Sequence, residues 1–155
     1  MKRLLLIVVV IGFISCNTQK LDSAKLIDEH KFLMGTWKGD GKFLDKDLHQ
    51  TLAALPITLE IKPDYTIDLT VAGLPLSNIN LYKAKYGFEI KGTLHTDVTN
   101  GKVNDKKNFI LLFIIPENAD STLNTVDANF HLKSNVAFDA TMKVGGVILR
   151  KTNAN

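Results

Sequence analysis

The chain has 155 residues, enough for one ordinary domain and too few for two with separate cores. Hydrophobic residues make up 45% and charged residues 23%, a globular balance that excludes wholesale disorder. The formal net charge is +3, but Lys2 and Arg3 lie in a leader-like segment. Without them 17 basic side chains face 16 acidic ones, and the basic excess that nucleic-acid binding needs is missing.

The first residues read Met-Lys-Arg, then an apolar run from Leu4 to Ile14, then Ser15-Cys16. This order of basic, apolar and small residues is that of a secretory signal peptide, and the 11-residue run is shorter than the roughly 20 residues a membrane-spanning helix needs. Cys16 is the only cysteine. An exported protein with one cysteine has no internal disulfide to make, and an exposed thiol is reactive there, so a covalent use for Cys16 is favoured. Phe13-Ile14-Ser15-Cys16 resembles the lipobox of bacterial lipoproteins, with Phe13 where that family usually carries an aliphatic residue. The resemblance implies acylation of Cys16, cleavage before it and a membrane partner held through the lipid. Several acyl chains make a stable anchor where one gives only marginal binding. The residue after the cysteine is Asn17 rather than the aspartate that retains enterobacterial lipoproteins at the inner membrane, which points to the outer membrane, facing the periplasm. The expected organisation is a signal peptide over 1–15, a lipidated polar tether over 16–22 and one domain over 23–155.

Ser23 is placed to cap a short helix on which Leu26, Ile27, His30 and Leu33 share a face. Everything beyond it has the period-two alternation of β-strands between Pro, Gly, Asn and Asp breaks. A run over 36–43 opens the series. Ile57, Leu59 and Ile61 alternate with polar residues, and Pro63-Asp64 turns the chain into Tyr65, Ile67, Leu69 and Val71. A weaker strand covers 79–83, and Tyr86, Phe88, Ile90 and Leu94 form a longer one before the Asn100-Gly101 turn signal. The stretch 109–115 is apolar on both faces. Val126, Ala128, Phe130 and Leu132 alternate, as do Val136, Phe138, Ala140 and Met142, and Gly145-Gly146 reads as the turn into a last strand over 147–151. Eight to ten antiparallel strands, most of them apolar on one face, predict an all-β closed or nearly closed barrel with a short N-terminal helix.

Gly35-Thr36-Trp37 follows the helix and opens the first long strand. It resembles the Gly-x-Trp start of the calycins, the lipocalins and fatty-acid-binding proteins, whose tryptophan plugs the closed end of the barrel beneath an arginine from the last strand. The resemblance implies a lipocalin-like barrel with Trp37 and Arg150 as its closing pair. Arg150 is the only arginine beyond the leader, against 16 lysines, and a guanidinium suits an indole face.

The inward set Leu59, Ile61, Ile67, Leu69, Phe88, Ile90, Phe113 and Phe138 then either lines a pocket for a small hydrophobic ligand or fills a solid core. In the second case the barrel is a structural or interaction module, and the two-sided apolar stretch 109–115 is the feature that motivates it. Haem ligation, as in nitrobindin-like barrels with a similar Gly-Thr-Trp start, is disfavoured because His95 and His131 fall on polar faces. No His or Cys pair has zinc spacing, no nucleophile elbow is present and no phosphate-cradling loop appears, so neither a catalytic centre nor a cofactor is expected. The residual catalytic reading places Asp45, Asp47 and His49 at the barrel mouth.

Overall fold

The computed structural model describes residues 20–44, 54–97, 104–134 and 142–152. Over these the chain forms β1 (Lys20–Leu21), α1 (Ser23–Glu29), a 3-10 turn (Lys31–Leu33), β2 (Gly35–Phe43), β3 (Leu55–Ile61), β4 (Ile67–Val71), β5 (Leu74–Ala84), β6 (Gly87–Asp97), β7 (Asn104–Ile114), β8 (Thr125–Ser134) and β9 (Met142–Thr152). Strands β2 to β9 pair antiparallel in the order β5-β4-β3-β2-β9-β8-β7-β6, and β5 pairs back onto β6. The result is a closed eight-stranded antiparallel barrel, lipocalin-like in layout, with one short helix. Closure removes the exposed sheet edges at which open antiparallel sheets associate.

Alternation fills the interior. Ile57, Leu59 and Ile61 of β3, Ile67, Leu69 and Val71 of β4, Phe88, Ile90 and Leu94 of β6, and Phe109, Leu111 and Phe113 of β7 all point inward and are buried. Burial of each such side chain contributes about 1.5–3 kcal/mol before entropy is subtracted. α1 lies across one end of the barrel and adds Leu26 and Ile27 to the same core, with Leu33 from the 3-10 turn. Asp22, not the expected Ser23, is its N-cap: the Asp22 carboxylate accepts from the Ala24 N–H at 3.0 Å. Lys20 and Leu21, expected in a polar tether, are already in the sheet opposite Tyr82 and Leu81 of β5.

Four local expectations are corrected. Tyr65 does not begin β4. It sits at φ +67 in a tight turn in which Asp64 accepts from the Thr66 N–H and hydroxyl at 3.0 and 2.6 Å, and the strand starts at Ile67. Tyr86 likewise falls in the β5–β6 turn, exposed, rather than in the strand it was assigned to. The weak strand over 79–83 is in fact the 11-residue β5, whose pattern is hidden by a bulge between Ser77 and Asn80 with Asn78 at φ +54. Gly145-Gly146 is not a turn but the middle of β9, which leaves Met142, expected inward, exposed. A glycine inside a strand marks a close approach, and at Gly145 the approaching groups are the Phe130 ring and the Lys42 backbone carbonyl, both of which a Cβ would overlap. The Asn100-Gly101 signal and the alternating residues 136–140 lie outside the described residues.

Two predictions follow from this architecture. Gly145→Ala has to displace a buried aromatic ring and is expected to cost about 1–3 kcal/mol, while Gly146→Ala, whose Cβ would have its nearest neighbour at 3.8 Å, is expected to be close to neutral; urea unfolding of the two variants gives the comparison. Asp64 and Asp120 each accept from a threonine two residues on, side chain first and backbone second, which lowers both carboxyls. Both are expected to titrate below the ordinary aspartate value of about 3.9 in a carboxyl NMR titration. Their contribution to stability is therefore present above that value and is lost as pH falls through the folded-state one.

Candidate functional site

The helix-covered end of the barrel is organised around Trp37. β2 brings it inside, opposite Leu59 of β3 and Lys151 of β9, and it is 0% exposed. Its indole N–H donates to the Leu33 carbonyl at 2.8 Å, which ties the 3-10 turn to the barrel floor. The ring meets Phe113 edge-on at 5.5 Å, and Phe113 stacks on Phe88 at 4.9 Å. Trp37 thus plugs this end.

The cation beside it is Lys151, not Arg150. The Lys151 ammonium lies 5.6 Å from the centre of the Trp37 ring and donates to the Phe32 carbonyl at 2.7 Å. Arg150 is exposed on the outer wall, opposite Lys38 and Thr125. Strand parity is the reason: Val147 and Leu149 point inward, so Lys151 does too and Arg150 cannot. The same parity can be read from Val147 and Leu149 in the sequence.

The expected ligand-lining residues are brought together, but they touch one another. Leu59, Ile61, Leu69, Phe88, Ile90 and Phe113 are each 0 to 1% exposed, and Ile67 is 9%. Among the described residues these side chains belong to one contiguous buried core. Towards the other end Phe109 stacks on Phe130 at 5.9 Å, and Phe43 meets Phe130 edge-on at 5.3 Å. Phe138 lies outside the described residues.

Among the described residues, three depressions open to solvent across the strands. One of about 420 Å³ sits where β4 and β5 part after pairing only at Thr70–Pro75 and Val71–Leu74; Lys20, Tyr65, Ile67, Ile79 and Leu81 are among its lining. A second, about 330 Å³, lies beside the β5 bulge at Asn78 and Asn80. The third, about 520 Å³, runs over β2, β9 and β8 between Asp40, Lys42, Asp127 and Arg150, with the 52% exposed Ile148 at its edge. Ile110, Leu112 and Ile114, on the outward face of β7, are half-buried.

His95 is outward and half-buried, with its Nε2 2.9 Å from the Ser77 hydroxyl. That is a nucleophile and base distance, but the hydroxyl also reaches the Thr93 carbonyl at 3.3 Å, and among the described residues no carboxylate holds the far side of the imidazole. The pair reads as a hydrogen bond across the bulge. His131 is outward and half-buried, and among the described residues no group of three His, Cys, Asp or Glu side chains is placed to hold a metal ion. Cys16, Asp45, Asp47 and His49 lie outside the described residues.

No family model, no curated protein and no solved structure matches the chain.

The assignment of the inner cation is directly testable. Lys151→Ala removes a charged donor from a backbone carbonyl above a buried ring and is expected to cost about 1.5–3 kcal/mol with a shift in Trp37 emission, whereas Arg150→Ala is expected to stay within about 0.5 kcal/mol of the parent. Urea unfolding followed by tryptophan fluorescence reads both.

Proposed function

We propose that the chain is an exported bacterial lipoprotein, anchored through acyl chains on Cys16, whose barrel is a non-catalytic interaction module of the cell envelope. The observation that carries the choice of module over carrier is the filled interior: the six central inward side chains are at most 1% exposed, and a preformed apolar pocket is what a carrier of hydrophobic ligands requires. The outer wall supplies the alternative surface. Ile148 stands half exposed with Asp40, Lys42, Asp127 and Arg150 around it, the arrangement of an apolar contact within a polar rim. The support for the anchor is the sequence pattern ending at Cys16. The favoured location is the outer membrane on its periplasmic side.

Metabolic labelling with an alkyne-tagged palmitate tests the anchor. The chain is expected to take up label and fractionate with membranes, and Cys16→Ser to lose both. Native mass spectrometry of the barrel purified from its own envelope tests the module. It is expected to show the mass of the chain alone, and a hydrophobic molecule travelling with it at stoichiometric yield would return the carrier reading.

A further inference from the structure

β1 fixes where a membrane anchor meets the barrel. Lys20 pairs with Tyr82 and Leu21 with Leu81, antiparallel, so the chain enters at Lys20 from the end where β5 turns into β6. Cys16 precedes Lys20 by four residues, and four extended residues reach about 14 Å at most. Whatever Cys16 is bound to therefore lies close to that turn.

The turn has the composition of a membrane-surface contact. Ala84-Lys85-Tyr86-Gly87 is a two-residue hairpin, with Lys83 one position before it. Lys20, Lys83 and Lys85 are exposed, Tyr86 is 53% exposed, and the Lys85 ammonium lies 4.8 Å above the Tyr86 ring. Nearby Lys91 is spoken for: it pairs with Glu89 at 2.9 Å and covers the Tyr82 ring at 4.4 Å. The acidic neighbours are Asp22, which is turned to cap α1, and Glu117, two residues past Ile115, whose N–H donates to the Tyr86 carbonyl at 2.9 Å. Among the described residues Lys20, Lys83 and Lys85 make no ion pair, whereas at the β3–β4 turn Lys62 is matched by Asp68 at 2.6 Å. Lysine and tyrosine are the side chains that settle at headgroup depth, with apolar stems or rings below and polar tips in water.

We propose that the β5–β6 hairpin tip, Lys83, Lys85 and Tyr86, with Lys20 beside it, is a docking surface for anionic phospholipid headgroups. The proposal rests on the reading of Cys16 as a membrane anchor. It adds an orientation: the helix-covered end faces the bilayer, and the end carrying the β4–β5 turn faces away.

The test separates the two claims by supplying the tether chemically. The chain starting at Cys16 retains every described residue, and its single thiol couples to a maleimide phospholipid in vesicles, so the outcome is independent of acylation in the cell. Tyr86→Trp and Leu74→Trp place reporters at opposite ends, and the parent chain, whose one tryptophan is the buried Trp37, is measured alongside as background. In vesicles of brominated phosphatidylglycerol, the reporter at 86 is expected to lose at least a third of its emission and the reporter at 74 to be unchanged. Adding Lys83→Glu and Lys85→Glu is expected to abolish the quenching at 86, since each lysine near an anionic surface changes local affinity about fivefold. Equal quenching at 74 and 86, or none at 86, overturns the orientation. Equal quenching at 86 in brominated phosphatidylcholine overturns the anionic headgroup as the partner.

Discussion

Trp37 is the point through which the parts of this barrel are connected. Its ring needs cover on every side once it is inside, and the cover comes from elements far apart in sequence: Phe113 of β7 against its edge, Lys151 of β9 over its face, and the Leu33 carbonyl receiving its N–H. A buried indole with an unpaired N–H would forfeit a hydrogen bond's worth of stability. The 3-10 turn between α1 and β2 is what brings that carbonyl within reach. The helix is only 7 residues long and would be marginal alone, so it persists because Leu26 and Ile27 are buried against the floor that Trp37 organises.

Much of the fold was legible because an antiparallel barrel with a filled interior leaves a period-two signature on nearly every strand. Ile57 to Ile61, Ile67 to Val71 and Val126 to Leu132 all carry it, and the structure places them as the alternation requires. It failed where backbone geometry interrupts the period. The bulge at Ser77 to Asn80 breaks parity within β5, and the Asp64 turn takes Tyr65 out of β4. Gly145 is a subtler case, since a glycine pair reads as a turn unless the ring it makes room for is known, and Phe130 is 15 residues away on the neighbouring strand.

At the candidate site, residue type and residue position gave opposite answers for the inner cation. Arginine stacks on an indole better than lysine, which favoured Arg150. Parity relative to Leu149 favoured Lys151, and parity prevailed because a single-residue displacement would turn Val147 and Leu149 out of the core to bring one guanidinium in. The lysine also donates to the Phe32 carbonyl of the 3-10 turn. Whether the interior is hollow or filled was not legible at all. The same alternation describes both, and the difference lies in how Phe88, Phe113, Phe109 and Phe130 orient against one another.

A filled interior changes what the connections between strands can do. Among the described connections, β4–β5 lies at the end remote from α1, while β3–β4, β5–β6 and β7–β8 share the end with the helix. The helix end is where β1 joins the sheet, so the anchor proposed at Cys16 would leave the other end free. In a hollow barrel that free end would be a mouth. Among the described residues that end is closed instead by the interlocked rings of Phe43, Phe109 and Phe130. Binding energy for a partner of the proposed module would then come from the outer wall, where Ile148 stands exposed among charges and the outward aliphatics of β7 are only half-buried. The barrel's rigidity is then its contribution, because surfaces held by a closed sheet lose little entropy when they bind.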